Sequence, residues 1–360
     1  MERTRIHPVL QAILAAALFG ASAPLAKLLL SSVYPLPLAG LLYLGTGISS
    51  ALLILAQRPR RRRNNTEAPL GRSDLPWLLG AIAAGGVAAP ITLMLSLKAT
   101  SAATASLLLN FEGVATALIA AYFFREAVGR RVWIAAVCVV FAGILLSVNT
   151  SGKWGISLGA VGVVAACILW GIDNNLTRNI SAKDPLQIVA IKGLFAGPVS
   201  LALAAAVGQP FPDPGSALLA MLLGCVSYGA SIALFILALR GLGAARTSSY
   251  FGAAPFIGAL LSLILFRTLP NALFALSIPF MIIGVVLLLT ERHVHVHEHS
   301  AMEHEHSHRH DEPHHAHSHK EGTTTDEPHS HQHRHEANQH SHPHAPDAHH
   351  RHEHGSQRPG

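Results

Sequence analysis

The chain has 360 residues, of which half are apolar and only 13% are charged. Soluble domains carry about 25% charged residues, so this composition excludes a single soluble globule. The formal net charge of +6 comes from arginines that lie between apolar segments, and no basic face with interleaved aromatic residues indicates nucleic-acid binding. The three cysteines lie far apart inside apolar runs, which is typical of small core residues and not of disulfides or zinc ligands.

Apolar stretches long enough to cross a bilayer as helices recur along the chain. Many of them contain glycine and alanine, which allow membrane helices to pack closely. The sequence predicts ten transmembrane helices, at Pro8–Leu30, Leu36–Ala56, Leu75–Leu97, Ser101–Phe124, Val132–Val148, Gly155–Thr177, Pro185–Val207, Ser216–Leu239, Ala244–Phe266 and Leu269–Thr290.

The basic residues between these helices indicate their orientation, because cytoplasmic loops carry an excess of lysine and arginine. Basic residues follow the second, fourth, sixth and eighth helices, namely Arg58, Arg60, Arg61, Arg62, Arg63, Arg72, Arg125, Arg130, Arg131, Arg178, Lys183, Arg240 and Arg246. We therefore expect a multi-pass protein of the cytoplasmic (inner) membrane. Both termini, and with them the C-terminal tail, are expected in the cytoplasm.

An internal repeat divides the ten predicted helices into two halves. Residues 97–126 match residues 239–268 at an offset of 142, and Phe19-Gly20 matches Trp170-Gly171 at an offset of 151. Five helices per half is an odd number, so the halves enter the membrane from opposite sides, as in transporters that work by alternating access. The predicted fold is an all-α integral membrane protein with two inverted five-helix repeats, residues 8–148 and 155–290. A disordered histidine-rich tail, residues 293–360, follows them.

These segments also resemble ten-helix members of the drug/metabolite transporter superfamily that contain two EamA-type repeats. The resemblance covers residues 8–290 and is carried by Leu18-Phe19-Gly20, Leu169-Trp170-Gly171, Asn110 to Ala117, Arg125-Glu126 and Gly143. It implies a transporter of small molecules without identifying the substrate. The sequence departs from the family pattern at Gly113, where proline is usual, and at Thr268, where the second repeat often has glutamate.

Acidic residues inside a membrane are costly, so they indicate functional sites. Glu112 is predicted in the middle of the fourth helix, beside Asn110. A carboxyl group in such a low-dielectric position is suited to proton coupling, and both residues are candidates for the coupling or substrate site. The alternative is that Glu112 is a hydrogen-bonded strut between helices.

Three further residues are candidates for the same site. For Asp173, toward the cytoplasmic end of the sixth helix, we favour an ion pair at the membrane interface. Lys192 could neutralise an anionic substrate, pair with Glu112, or extend to the interface. Tyr250, like Tyr228, could stack on a substrate or donate a hydrogen bond to it, although packing roles explain these tyrosines equally well.

The tail contains all of the 24 histidines except His7. Its histidines recur at a spacing of two, which places them along one side of an extended chain. Neutral imidazole binds Ni, Co, Zn or Cu(II), and the absence of cysteine or methionine clusters argues against Cu(I). The alternative is a solvated, pH-sensitive spacer. The candidate metal ligands are His295, His297, His299, His304, His306, His308, His310, His314, His315, His317 and His319.

Phosphate-binding loops, zinc-protease helices and nucleophile elbows do not occur, so we expect neither an enzyme nor a required cofactor. The leading hypothesis is a secondary transporter that exports a small metabolite, with proton coupling and a tail that binds Ni, Co or Zn. One alternative is a transporter of the metal or a metal chelate, and another is a membrane metal sensor without transport. The expected partners are the lipid bilayer, a small-molecule substrate and the metal; a homodimer is left open.

Overall fold

A computed structural model describes residues 3–61, 70–123, 128–149, 155–180, 183–290, 293–299, 302–308, 329–335 and 338–344 of the protein. Within these residues ten helical segments are long and apolar enough to cross a membrane, which confirms the predicted number. We number them span 1 to span 10: His7–Leu29, Pro35–Gln57, Arg72–Ala99, Ala102–Phe123, Arg130–Ser147, Leu158–Arg178, Pro185–Ala206, Pro214–Leu239, Arg246–Phe266 and Ala272–Leu289.

Several spans consist of more than one helix. The α-helices are Arg3–Gly20, Ser22–Leu29, Pro35–Arg61, Leu75–Ala81, Ala89–Ala99, Ala102–Leu108, Phe111–Phe123, Arg130–Ser147, Leu158–Arg178, Pro185–Ala206, Pro214–Leu223, Ser231–Leu242, Ala244–Phe251, Ala254–Phe266 and Ala272–Leu289. Residues Arg72–Asp74 form a 3₁₀-helix, and two π-helices cover Ile82–Ala88 and Gly224–Ala230. Two short strands, Val148–Asn149 and Gly155–Ile156, pair antiparallel between the two halves.

The helix contacts follow a two-fold pattern that relates the first five spans to the last five. Span 2 packs extensively against span 7, and span 5 against span 10, so equivalent spans of the two halves meet. Span 3 packs against span 6 in the same way that span 1 packs against span 8. Successive spans cross the bundle in opposite directions, so spans 2, 4, 6, 8 and 10 all end at the same face. We call this face the arginine side, after the basic residues that follow these spans, and the opposite face the far side.

The interruptions of the helices recur at the sequence offset of 142. The π-helix at Ile82–Ala88 in span 3 corresponds to the one at Gly224–Ala230 in span 8. The break after Leu108 in span 4 has a counterpart within one residue of that offset, after Phe251 in span 9. In span 4 the break forms at Asn110, whose side-chain amide donates to the Leu107 carbonyl at 2.9 Å and so competes with the helix. Both halves therefore carry the same irregularities in their third and fourth spans.

Two glycines of the repeat motif permit close helix contacts. A Cβ atom on Gly20 would lie 2.3 Å from the Ala254 carbonyl oxygen, and one on Gly171 would lie 3.0 Å from the Thr116 backbone nitrogen. The first contact joins span 1 to span 9, and the second joins span 6 to span 4. The matched Phe19-Gly20 and Trp170-Gly171 pairs thus mark equivalent helix crossings.

Parts of the tail form strands, whereas the sequence predicts disorder. Strand His293–His299 pairs antiparallel with Asn338–His344, and strand Met302–His308 pairs with His329–His335. An isolated two-stranded ribbon is at best marginally stable in water, so disorder of the metal-free tail in solution stays a prediction. Residues 309–328 and 345–360 lie outside the described residues, as do Arg125 and Glu126.

Candidate functional site

A cavity of about 290 Å³ lies in the half of the bundle nearer the arginine side. It extends from Tyr43 and Tyr228, near the middle of their spans, to Lys183 and Pro185 at the arginine-side end of span 7. Its wall also contains polar groups from three further positions, Thr46, Thr177 and Lys192. A cavity of this size with a few polar groups in an apolar wall is typical of small-molecule sites.

A buried ion pair forms part of the cavity wall. The Lys192 ammonium lies 2.6 Å from each carboxylate oxygen of Asp173, and Asp173 is only 4% exposed. The Thr177 hydroxyl donates to the same carboxylate at 2.9 Å. An ion pair for Asp173 is expected from the sequence, and the structure supplies Lys192 as the partner and buries the pair in the protein. Lys192 pairs with Asp173 and not with Glu112, because Asp173 and Lys192 face each other across spans 6 and 7.

The π-helix of span 3 brings backbone next to this ion pair. A Cβ atom on Gly85 would lie 1.9 Å from the Asp173 Oδ2 atom, so only glycine fits there without rearrangement. The Gly85 carbonyl accepts hydrogen bonds from the Tyr43 hydroxyl at 2.6 Å and from the Trp170 indole N–H at 3.1 Å. In a π-helix the Gly85 carbonyl would accept from the N–H of residue 90, but residue 90 is proline and has none, so these two side chains supply its hydrogen bonds.

Glu112 lies on the first turn after the break in span 4. Its Oε1 atom accepts a hydrogen bond of 2.9 Å from the Asn174 amide, which also donates to the Thr116 hydroxyl at 3.1 Å. Asp173 and Lys192 are within electrostatic reach of Glu112. The partner of Glu112 is therefore Asn174 of span 6, whereas the sequence suggests Asn110 or Lys192.

Two sequence candidates lie apart from this cluster. The Asn110 amide bonds the Leu107 carbonyl of its own span, so its contact is with the helix break. Tyr250 is 38% exposed on span 9 and is not among the residues that line the cavity. Tyr228, in contrast, lines the cavity.

The ionisable groups are distributed unequally between the two halves of the two-fold pattern. At the offset of 151 the equivalents of Asp173 and Asn174 are Ser22 and Ala23, and at 142 the equivalent of Glu112 is Ala254. The charged cluster is therefore formed by spans 4, 6 and 7, and the equivalent positions in spans 1 and 9 are uncharged.

Several residues of this site escape sequence reasoning. Tyr43, Thr46 and Thr177 carry no motif, and nothing in the sequence shows that they share a cavity. Trp170 belongs to the repeat motif, but its hydrogen bond to Gly85 depends on the π-helix, which hydropathy does not reveal. The sequence signal that could have indicated the π-helix is the pair of adjacent glycines, Gly85-Gly86.

The candidate metal ligands fall on the tail. The backbone register places His295 opposite His342, His297 opposite His340, His304 opposite His333, His306 opposite His331, and His308 opposite His329. His299 lies opposite Asn338. The remaining candidates lie outside the described residues: His310, His314, His315, His317 and His319. Where side chains are described, no three His, Cys, Asp or Glu residues lie close enough together to hold a metal ion.

Comparison with known proteins identifies the family of this bundle. The model of the EamA-like transporter family matches residues 7–149 and 157–290, which is most of the chain. The chain belongs to the EamA-like transporter family. An uncharacterized transporter from Methanothermobacter thermautotrophicus (strain Delta H) is 28% identical over 300 residues, which cover 79% of this chain and 86% of that protein. One solved crystal structure is similar with a TM-score of 0.55 and 20% identity, covering 78% of this chain and 94% of its own.

This assignment confirms the resemblance found in the sequence, including membership of the drug/metabolite transporter superfamily. The protein is a multi-pass membrane transporter of small molecules. The solved structure supports the fold alone, because its sequence identity is low.

Proposed function

We propose that this EamA-like transporter exports a small metabolite across the cytoplasmic membrane by alternating access, in exchange for protons, with Glu112 as the coupling group. The observation that supports this proposal is the position of Glu112 beside a helix break in the bundle, held by Asn174 at 2.9 Å. Its contacts are with neutral side chains, whereas Asp173 has Lys192 as an ionic partner. Glu112 can therefore gain or lose a proton without first breaking an ion pair.

The cavity supports the direction of transport. Lys183 and Pro185 line its end on the arginine side, which we call its mouth, and basic loops favour the cytoplasmic face. A cavity open to the cytoplasm can load a cytoplasmic metabolite. Exchange for protons then requires that the same site releases the metabolite and takes up a proton when it opens to the far side.

The test begins with a search for the substrate, by comparing metabolite and metal accumulation in cells with and without the gene. Flux of the accumulated metabolite is then measured in membrane vesicles under an imposed pH gradient. We expect Glu112→Gln to insert normally and to abolish flux driven by the gradient. Glutamine keeps the oxygen that accepts from Asn174 but cannot titrate.

Asp74→Asn is the matched control for this experiment. Asp74 forms a 3.6 Å ion pair with Lys183 near the mouth of the cavity, so this variant removes an acid away from the helix break. We expect its flux to keep the pH dependence of the unmodified protein. Unmodified pH dependence in Glu112→Gln would instead identify Glu112 as a structural strut and remove it from the coupling mechanism.

The tail supports a second function, the binding of Ni, Co or Zn on the cytoplasmic side. In the paired strands five of the candidate histidines lie opposite another histidine, and cross-strand neighbours have Cβ atoms only about 5 Å apart. Two imidazoles at that separation can share one metal ion. The candidate ligands predicted from the sequence lie on the first strand of each pair, and the histidines opposite them on the second strand are further candidates.

Calorimetry of the full chain in detergent tests the binding of metal by the tail. We expect several Ni, Co or Zn ions per chain with micromolar or weaker site affinities, and loss of most binding in a chain truncated after Thr290. Absence of heat with all three metals at neutral pH would reject metal binding. The comparison of cells with and without the gene separates the alternatives. If the gene changes the accumulation of metal but of no metabolite, the cargo is the metal or its chelate. If the gene changes the accumulation of neither, a metal sensor without transport is favoured.

A further inference from the structure

Lys27 joins two spans at the far side of the bundle. It lies in the last turn of the helix Ser22–Leu29, and its ammonium donates to the carbonyl of Leu97, to that of Lys98 at 3.4 Å, and to that of Thr100 at 3.1 Å. These carbonyls belong to the C-terminal end of span 3. The last carbonyls of a helix have no partner within the helix and carry partial negative charge, which a lysine ammonium neutralises.

The far side is closed around this contact. Ala26, beside Lys27, is 1% exposed, and Pro90 of span 3 is also buried. The Lys98 ammonium in addition lies 5.3 Å from the centre of the Tyr34 ring, in the connection between spans 1 and 2. Spans 1 and 3 are thus held together at their far-side ends.

On the arginine side, the positions equivalent to Ala26 and Pro90 line the cavity and are not packed against each other. At the repeat offsets of 151 and 142, Ala26 corresponds to Thr177 and Pro90 corresponds to Ile232. Both Thr177 and Ile232 line the cavity, which therefore separates span 6 from span 8. The two halves of the molecule differ at one pair of helices, closed by Lys27 on the far side and open on the arginine side.

The sequence repeat supplies a counterpart for each part of the Lys27 contact. Lys27 corresponds to Arg178 at the end of span 6. The three carbonyls correspond to those of Leu239, Arg240 and Leu242, at the C-terminal end of the helix Ser231–Leu242. A basic side chain and a helix C-terminus therefore occur at equivalent places on both sides of the bundle.

We propose that Lys27 and Arg178 are alternating latches: Lys27 holds the far side closed in the state described here, and Arg178 holds the arginine side closed in the opposite state by donating to the carbonyls of Leu239, Arg240 and Leu242. This inference rests on the alternating-access transport proposed above. Arg178 has a partner in the present state and exchanges it when span 6 meets span 8. Each latch stabilises one state, so removal of either shifts the balance between them.

The test measures access to the cavity and needs no substrate, so its failure is distinct from a failure of proton coupling. Ile232→Cys, in a background with Cys138→Ala, Cys167→Ser and Cys225→Ser, is labelled from the arginine side of inside-out vesicles with a membrane-impermeant maleimide. Labelling rates are then compared after adding Lys27→Met, Lys27→Arg, Arg178→Met, or both methionine changes. Lys27→Gln replaces Lys27→Met if the latter does not insert.

We expect Lys27→Met to slow labelling of Ile232→Cys by about threefold or more, because the far side opens and the arginine side closes. Lys27→Arg keeps a hydrogen-bond donor, so with this change Ile232→Cys should be labelled at close to the parent rate. Arg178→Met should not slow labelling, and combining it with Lys27→Met should restore the rate toward that of the parent. The proposal is overturned if Ile232→Cys is labelled as fast with Lys27→Met as in the parent. It is also overturned if Arg178→Met slows this labelling as much as Lys27→Met does.

Discussion

Asp173 and Lys192 are charged residues whose burial depends on their mutual contact. The ammonium lies 2.6 Å from both carboxylate oxygens, and only 15% of the Lys192 side chain and 6% of the Asp173 side chain are exposed. Removing one partner of a buried pair leaves an uncompensated charge and costs about 3 to 5 kcal/mol. Replacing both by neutral groups of similar size costs less, because no unpaired charge remains.

Lys192→Met should therefore lower the free energy of unfolding by about 3 kcal/mol, the low end of that range because the Lys192 side chain is 15% exposed. The double variant Lys192→Met with Asp173→Asn should recover part of this loss. Thermal unfolding in detergent measures both changes. If the double variant loses as much stability as the two single variants added together, the pair does not stabilise the fold as described.

Lys183→Met is the control for charge removal. Its ion pair with Asp74 is longer, at 3.6 Å, and lies at the mouth of the cavity. Its side chains are 19% and 14% exposed, and the longer separation weakens the attraction between the two charges, so we expect a smaller loss of stability than for Lys192→Met.

At the residue scale, sequence reasoning identified the charged residues and misassigned their partners. Intramembrane acids are rare enough that Glu112 and Asp173 stand out by composition and position. The partners depend on helix rotation and crossing, which side-chain type does not determine. Asn174 meets Glu112 because the crossing at Gly171 brings span 6 close to span 4.

At the scale of elements, the π-helix in span 3 determines the geometry beside the ion pair. It places Gly85 where a side chain would overlap the Asp173 carboxylate, and it presents a carbonyl to Tyr43 and Trp170. In a regular α-helix that carbonyl would accept from the Ala89 N–H, which here donates to the Ala84 carbonyl instead. The irregular turn therefore serves as one wall of the polar cluster.

Gly85→Ala should destabilise the protein by about 2 kcal/mol or more, because the new methyl group lies 1.9 Å from the Asp173 Oδ2 atom and displaces the pair. Gly80→Ala in the same span is the matched control, since its methyl group meets the end of the flexible Leu176 side chain at 2.9 Å. Alanine also favours helix over glycine by about 1 kcal/mol, so the control should unfold no earlier than the parent. Equal unfolding temperatures for the two variants would contradict a tight contact at Gly85.

Hydropathy predicts where the spans begin and end but not their internal breaks. The predicted helix Ser101–Phe124 agrees with span 4, Ala102–Phe123, because twenty or more apolar residues suffice to specify a crossing. The break at Asn110 and the π-helices change hydrogen bonding without changing composition. They are visible in sequence only as a polar residue or paired glycines within an apolar run.

For the whole molecule, ten spans place both ends of the bundle on the same side, and the arginine distribution predicts that this side is the cytoplasm. A fluorescent protein fused after Gly360 should therefore fluoresce. Alkaline phosphatase inserted at Gly208, an exposed glycine between spans 7 and 8, should be active. Phosphatase activity at Gly360 together with none at Gly208 would reverse the orientation and the proposed direction of transport.

The two-fold organisation could be read from the sequence because the repeat offsets are constant over long segments. The unequal distribution of charge could not, since equivalent positions such as Glu112 and Ala254 become meaningful only when the helices are paired in space. The open cavity on one side is likewise a property of one conformational state. A single sequence encodes both states and cannot show which one is populated.

The paired π-helices also carry a record of how the chain arose. Both are seven residues long and begin 142 residues apart, at Ile82 and Gly224, although the surrounding sequences have diverged. Two independent events would have had to affect the same turn of both halves. One event in an ancestral five-helix polypeptide, before its gene was duplicated and fused, accounts for both. The distorted turn is thus common to both halves, whereas the charged cluster beside it occurs in only one.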